Sequence, residues 1–234
     1  MIEKILYPAY ENNAKKINEV IEKVNEITEV GGGAKFVSIN SDNQDEANFF
    51  GDGATGNNAI AIGTGTKSEN TDSVAIGTKT KAVNSCTVAI GEKAQAQDVD
   101  SIAIGSKTKA QGNDSVSIGT KTKTQGSNTV AIGTQAKARG DNAVAIGNNA
   151  ATQEELISAI AIGGDSIATE ENTVSFGHQA TDYINGSDDE DIYGTAVYRR
   201  LVNVADGIND TDAVNVRQLT EFVQEAIAAA LADL

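Results

Sequence analysis

The chain has 234 residues, a formal net charge of −15 and 4% aromatic residues, and it contains no tryptophan. An acidic balance of this size argues against a general nucleic-acid binder, and a single cysteine, Cys86, excludes a framework of disulfides within the chain. No apolar run reaches the roughly 18 residues of a membrane-spanning helix, and residues 1–8 lack the basic start and long apolar stretch of a signal peptide.

Residues 1–30 carry an amphipathic helical pattern. Apolar residues recur at spacings of three and four, with charged residues between them, at Ile17, Val20, Val24 and Ile27. This pattern predicts a helix that either forms a short coiled coil or lies on another protein as a docking element. Three glycines end this helix, and residues 31–50 are predicted to be a linker and transition.

A fourteen-residue phrase then repeats through residues 51–181. Each copy ends in a glycine, and the intervals are fourteen residues except for one of sixteen, at Gly63, Gly77, Gly91, Gly105, Gly119, Gly133, Gly147, Gly163 and Gly177. Val or Ile stands three residues before each glycine and Ile or Phe directly before it, which predicts a short strand. Small residues at the third and fifth places after the glycine predict a second strand. Because so short a unit buries its apolar face only by stacking on the next, we predict a mainly β fold, a solenoid of nine coils.

The residue between the two apolar positions is always Ala or Ser. It points away from the valine and isoleucine face, where a solvated strand would carry mixed polar side chains. This row of small residues predicts close contact with another chain at Ala61, Ala75, Ala89, Ala103, Ser117, Ala131, Ala145, Ala161 and Ser175. The alternative is that a small residue simply suits a tight coil. A thin coil also buries little surface alone, so association of chains is expected to supply stability.

Lysines recur at the second and fourth places after the glycines, which we interpret as outward positions of the second strand. They are Lys79, Lys81, Lys93, Lys107, Lys109, Lys121, Lys123 and Lys137. Stacking would align them in a stripe able to recruit an anionic polysaccharide or an acidic surface, with ligand-binding candidates Lys79, Lys81, Lys107, Lys109, Lys121 and Lys123. The alternative is that solvated lysines keep exposed strands soluble and offset acidic turns.

The repeats are followed by an acidic loop and a short helix. Residues 182–198 are predicted to form the loop, whose acidic run at Asp188–Asp191 lacks the spaced ligands of known calcium sites. Residues 220–234 are predicted to form a C-terminal helix or stalk, which has one apolar face marked by Leu219, Val223, Ile227, Leu231 and Leu234.

Several short motifs suggest chemistry but lack its context. Residues 51–56 fit the glycine spacing of a dinucleotide-binding loop, yet they run into the first coil instead of joining a strand to a helix. Arg139-Gly140-Asp141 spells an integrin-binding tripeptide, which we interpret as coincidence in a turn. His178 is the only histidine, and the pattern places no nucleophile near it.

A polysaccharide-cleaving fibre would need paired carboxylates in a groove. The regular repeats offer no such pair, and the sixteen-residue interval adds only Glu154 and Glu155, which would point to opposite faces of an extended segment. We therefore predict a protein that is not an enzyme, with no catalytic residue, no metal site and no cofactor.

Two segments together resemble a known family. The Ser-Val-Ala-Ile-Gly phrase at fourteen-residue spacing is similar to the head of the trimeric autotransporter adhesins, the YadA-like family. Residues 199–219, which contain Asn203-Val204-Ala205-Asp206-Gly207 and Val214-Asn215-Val216-Arg217-Gln218-Leu219, resemble that family's neck. The resemblance implies a homotrimer of left-handed parallel β-rolls, with a neck leading to a coiled-coil stalk. It also implies adhesion to host surfaces, matrix proteins or glycans.

The resemblance leaves the carrier of the fibre open. The family's signal peptide and membrane anchor are missing from this sequence, and residues 1–30 read as a docking element of the kind a phage fibre would need. We therefore predict a trimeric fibre exposed on a virion, joined to a virion or cell-envelope protein through its N-terminal helix and attaching to a cell-surface glycan or protein. The alternatives are the head and neck of a bacterial adhesin on the cell surface, and a purely structural spacer.

Overall fold

The computed structural model describes residues 53–180 and 195–232, together with Lys16 and Glu19, which are helical and exposed. The predicted docking residues Ile17, Val20, Val24 and Ile27 lie outside the described residues. So do the linker 31–50 and the acidic run within the loop.

The repeats fold into a parallel β-solenoid built from two sheets, as predicted. The first sheet contains nine described strands, each ending just before or near a repeat glycine: β1 Ile60–Ile62, β3 Val74–Ile76, β5 Val88–Ile90, β7 Ile102–Ile104, β9 Val116–Ile118, β11 Val130–Ile132, β13 Val144–Ile146, β15 Ile160–Ile162 and β17 Val174–Ser175. The second contains eight: β2 Lys67–Ser68, β4 Lys81–Ala82, β6 Gln95–Ala96, β8 Lys109–Ala110, β10 Lys123–Thr124, β12 Lys137–Ala138, β14 Ala151–Thr152 and β16 Ile167–Ala168. The described part of the solenoid therefore has eight coils with both strands, and the ninth repeat adds a first-sheet strand only.

Neighbouring coils stack in register, so equivalent residues of successive repeats lie beside one another. Ala61 pairs with Ala75, and Lys109 pairs with Lys123. The register also crosses the sixteen-residue interval, since Val144 pairs with Ile160. The two extra residues are accommodated in the turn that contains Glu154 and Glu155, outside both sheets.

The interior of the coil is narrow and contains only small side chains along most of its length. Ala, Ser and Thr fill it at zero or near-zero exposure, and the largest fully buried side chains are threonines. Alanines from the two sheets pack against one another there, as Ala75 and Ala89 do with Ala82 and Ala96. No room remains there for the Val and Ile of the first-sheet strands, and these side chains point outward. Ile167 of the second sheet is buried, at 3% exposure, in a separate cluster with Ala151.

The predicted orientation of the first strand is therefore wrong. Eight residues of the small row lie inside their own coil at 0% exposure: Ala61, Ala75, Ala89, Ala103, Ser117, Ala131, Ala145 and Ala161. The ninth, Ser175, is half-buried at the last strand. Because each coil covers these side chains itself, they do not face another chain. The alternative considered for the row, that a small residue suits a tight coil, accounts for them.

The coil turns at two corners where the backbone enters the left-handed region. At the first corner the eight repeat glycines from Gly63 to Gly163 have φ between 109° and 137°, and the second residue after four of them is a lysine with φ between 57° and 59°. The lysines at the second place thus lie in a corner and not in the strand. The other corner carries mostly Asn and Asp, which tolerate this region best among residues with a side chain.

Buried threonines connect one coil to the next. The hydroxyl of Thr80 donates to the carbonyl of Gly91 at 2.5 Å, and that of Thr122 donates to Gly133 at 2.6 Å. In other coils an alanine, such as Ala94, occupies the same place. The hydrogen bond is therefore an addition to the stacking and not a requirement of it.

We expect Thr122→Val to lower the free energy of unfolding by about 0.5–1.5 kcal/mol, because the Gly133 carbonyl loses its hydroxyl donor and keeps only the Ala136 N–H at 3.3 Å. Thr122→Ser, which keeps the hydroxyl, is the control and should lose less. Chemical denaturation of both variants beside the parent measures the difference. Equal stability of the valine and parent proteins would show that the bond contributes nothing.

Candidate binding and assembly surfaces

The outer surface of the first sheet is aliphatic. Two columns of Val and Ile run along it, which we call the aliphatic face: the residues three places before and directly before each repeat glycine, from Ile60 to Val174. They are half-buried or exposed, with Ile118, Ile132, Ile146 and Ile162 at 36–38%. An unbroken apolar surface of this length is typical of a protein–protein contact.

The second sheet presents a basic surface, which we call the lysine face. It combines a strand column of Lys67, Lys81, Lys109 and Lys123 with a corner column of Lys79, Lys93, Lys107 and Lys121. Gln95 takes the strand position between Lys81 and Lys109. The structure thus brings all six predicted ligand-binding lysines together, in two parallel columns instead of one stripe.

Lys137 and Arg139 are buried, although they follow the lysine face along the chain. Lys137 is 8% exposed and Arg139 is 5% exposed, beside the turn formed by the sixteen-residue interval. In that turn the Glu154 carboxylate lies 3.9 Å from Nε of Arg139. The Arg139-Gly140-Asp141 tripeptide therefore does not display its arginine, which agrees with reading it as coincidence.

The end of the solenoid is closed by residues 197–199, which span the predicted boundary between the acidic loop and the neck. Val197 forms a two-bond antiparallel bridge with His178, each N–H donating to the other carbonyl at 2.9 Å. The Arg199 guanidinium donates to the Gly164 carbonyl at 2.6 Å, the Phe176 carbonyl at 2.5 Å and the Ser166 hydroxyl at 3.0 Å. His178 is therefore a buried structural residue. Sequence periodicity could not find Arg199, since its partners lie 23 to 35 residues away.

We expect Arg199→Met to detach this closing segment while leaving the coils intact, because the lost bonds all join residue 199 to the last coils. Hydrogen exchange at the His178 and Val197 amides should accelerate by about tenfold or more. Arg200→Met, which removes the same charge next door, is the control. Unchanged exchange in the first variant would contradict a clamping role for Arg199.

The segment predicted as the neck folds on itself before the last helix. Asn215 donates to Asp206 at 2.7 Å, and Arg217 forms an ion pair with the same carboxylate. The amide of Asn215 and the guanidinium of Arg217 together hold the pKa of Asp206 below its usual value. The side chain of Gln218 both accepts from the N–H of Gly207 and donates to its carbonyl, at 2.9 Å each.

The C-terminal helix, α1, runs from Val216 to Ala232. It begins within the segment predicted as neck, because the side chain of Asn215 accepts from the N–H of Gln218 at 3.0 Å and caps the first turn. No residue of α1 is buried, and its apolar stripe is largely exposed at Leu219, Val223, Ile227 and Leu231. Such a helix requires partner helices. Among the described residues, no helix has the length and apolar character needed to cross a membrane.

Family models match both halves of this arrangement. The model described as the YadA head domain repeat matches residues 54–80, 87–108, 99–122, 110–134, 125–150 and 157–180. The model described as the coiled stalk of trimeric autotransporter adhesin matches residues 200–233. No match was found among curated proteins.

A solved structure is similar to most of the chain. The crystal structure of the collagen-binding domain of the Yersinia adhesin YadA is 31% identical, with a TM-score of 0.58, and the match covers 73% of this chain and 86% of that one. Along the chain, the residues that match the head repeat come before those that match the stalk. The chain therefore belongs to the YadA-like family of trimeric autotransporter adhesins, whose heads are non-enzymatic.

Proposed function

We propose that this chain forms the head and neck of a homotrimeric adhesin on a bacterial surface, in which three solenoids pack their aliphatic faces together. The lysine faces, on the other sheet of each coil, then point away from the contact and toward ligands. The observation that carries the proposal is the aliphatic face, which continues through nine strands of the first sheet.

The thin interior explains why the contact is needed. A coil lined by Ala, Ser and Thr buries little apolar area, while its larger aliphatic side chains remain outside. Covering the two columns in a trimer would stabilise each chain at about 25 cal/mol for every Å² of apolar surface removed from water. The exposed stripe of α1 supports the same assembly at the other end, where three helices would form a coiled coil.

The family supports a bacterial carrier more than a virion. The predicted placement on a virion depended on residues 1–30, of which only Lys16 and Glu19 are described, so it stays a prediction. Immunogold labelling of the native source with an antibody against the head distinguishes the two. Label on cell envelopes supports the proposal, and label on virus particles would overturn it.

Two measurements test assembly and attachment together. Light scattering should give a mass three times the 24.2 kDa of the chain.

Beads coated with the protein should adhere to host cells or matrix. Collagen is the first protein ligand to try, because the similar Yersinia domain is a collagen-binding one. A monomer would contradict the trimer, and a trimer that attaches to no cell or matrix would favour the structural spacer.

A further inference from the structure

We propose that the lysine face binds a linear anionic polysaccharide laid along the axis of the solenoid, a proposal that rests on the attachment function above. The two lysine columns run parallel to that axis, because stacked strands place equivalent residues about 4.8 Å apart. In the strand column, Lys109 and Lys123 of successive coils pair in register. In the corner column, the N–H of Lys121 donates to the backbone carbonyl of Ser106, the residue before Lys107 in the preceding coil. A straight polymer can therefore contact several coils at once.

Positive charge on this face is incompletely neutralised by the protein. Lys93 pairs with Glu92 at 3.0 Å, and this contact holds the pKa of the Glu92 carboxyl below its usual value. Within the described coils, no carboxylate lies within ion-pair distance of Lys109, Lys121 or Lys123. Like charges stacked at this spacing repel one another, and a polyanion would relieve that repulsion.

A column of amide side chains borders the lysines at the sixth place after the glycine. Nε2 of Gln111 donates to Oε1 of Gln97 at 2.9 Å, and Gln125 follows in the next coil. Carboxamides both donate and accept, so they suit the hydroxyl groups of a sugar. The column was not part of the sequence prediction, although its regular place in the repeat could have revealed it.

The neighbourhood favours a polysaccharide over a nucleic acid. No aromatic residue occurs between positions 53 and 175, so the coils offer nothing on which a base could stack. The groups available for recognition are lysine ammonium groups and glutamine carboxamides. These suit the sulfate or carboxylate groups and the hydroxyl groups of a polysaccharide.

Charge also limits the length of polymer that can be bound. Residues 53–139 contain ten Lys and Arg against six Asp and Glu, whereas residues 140–180 contain no Lys or Arg against six Asp and Glu. The strand column changes at this boundary, where Lys137 pairs with Ala151. A polyanion therefore binds along the first coils and is repelled by the last.

The test uses the full chain in a biosensor with immobilised heparin, hyaluronan and uncharged dextran. One variant combines Lys109→Gln, Lys121→Gln and Lys123→Gln. Its control combines Asn128→Asp, Asn142→Asp and Asn172→Asp, which changes the net charge equally at exposed corner positions on the other side of the coil, where the column already includes aspartates. Circular dichroism and light scattering confirm that both variants fold and assemble like the parent.

We expect the parent to bind heparin or hyaluronan but not dextran, with an affinity that falls as salt rises. The lysine variant should lose about tenfold or more in affinity, since three contacts are removed from every chain, and the asparagine control should lose much less. Equal losses in both variants, or no binding by the parent to either polyanion, would overturn the proposal. If the parent binds no polyanion yet still attaches to cells, the adhesin function stands and only this ligand is refuted.

Discussion

Replacing Gly105 with alanine is expected to lower the free energy of unfolding by about 4 kcal/mol or more. The φ angle of Gly105 is +133°, a region that residues with a side chain rarely adopt, and an added Cβ would lie 2.3 Å from the carbonyl oxygen of Gly119 in the next coil. That oxygen belongs to backbone held by the stacking of both neighbours. The strain cannot be relieved by a side-chain movement, so the stack must open.

Gly164→Ala is the matched control. Its Cβ would meet only the Asn148 carbonyl oxygen, at an ordinary 3.6 Å. Chemical denaturation followed by circular dichroism should separate the two variants clearly, with the control within about 1 kcal/mol of the parent. If Gly105→Ala were as stable as Gly164→Ala, close stacking at the glycine column would not limit stability.

A charge placed on the aliphatic face is expected to separate the chains. Ile118→Asp would bring three carboxylates into an apolar contact in the proposed trimer, at a cost on the order of 5 kcal/mol or more per assembly. Because Ile118 is 36% exposed and points away from the coil interior, the solenoid of each chain should survive. We expect a lower mass by light scattering and a lower melting temperature of the head, with β-structure retained at low temperature.

Lys109→Asp provides the comparison, since it places the same carboxylate on the second sheet, where the proposed contact does not reach. It should leave both mass and melting temperature close to those of the parent. An Ile118→Asp protein that keeps its mass and its melting temperature would contradict the aliphatic face as the contact between chains.

The period of the repeat was enough to predict the solenoid, but not which side of its first strand lies inside. Alternation along Val88, Ala89 and Ile90 defines two faces and says nothing about the volume available to either. The coil is too narrow for Ile and wide enough for Thr, and this size limit places Ala89 in the interior. An apolar pattern alone therefore favoured the wrong face.

The lysine face was predictable for the same reason that the fold was. In a stacked solenoid a fixed place in the repeat becomes a fixed column in space, so counting from each glycine located Lys109 and Lys123 correctly. Counting failed for Lys137, which is buried beside the sixteen-residue interval. It also failed for Arg199, because contacts between distant segments carry no period.

The pairing of Val144 with Ile160 has a consequence for how such a protein changes over generations. Each coil contacts only its two neighbours, and an insertion between strands is accommodated without disturbing the register. Adding or removing one whole repeat would therefore change the number of coils and still yield a folded product. Each event alters the reach of the head by about 4.8 Å and shortens or lengthens the lysine columns with it. The number of repeats in the gene therefore sets both the length of the head and the number of lysines available to a ligand.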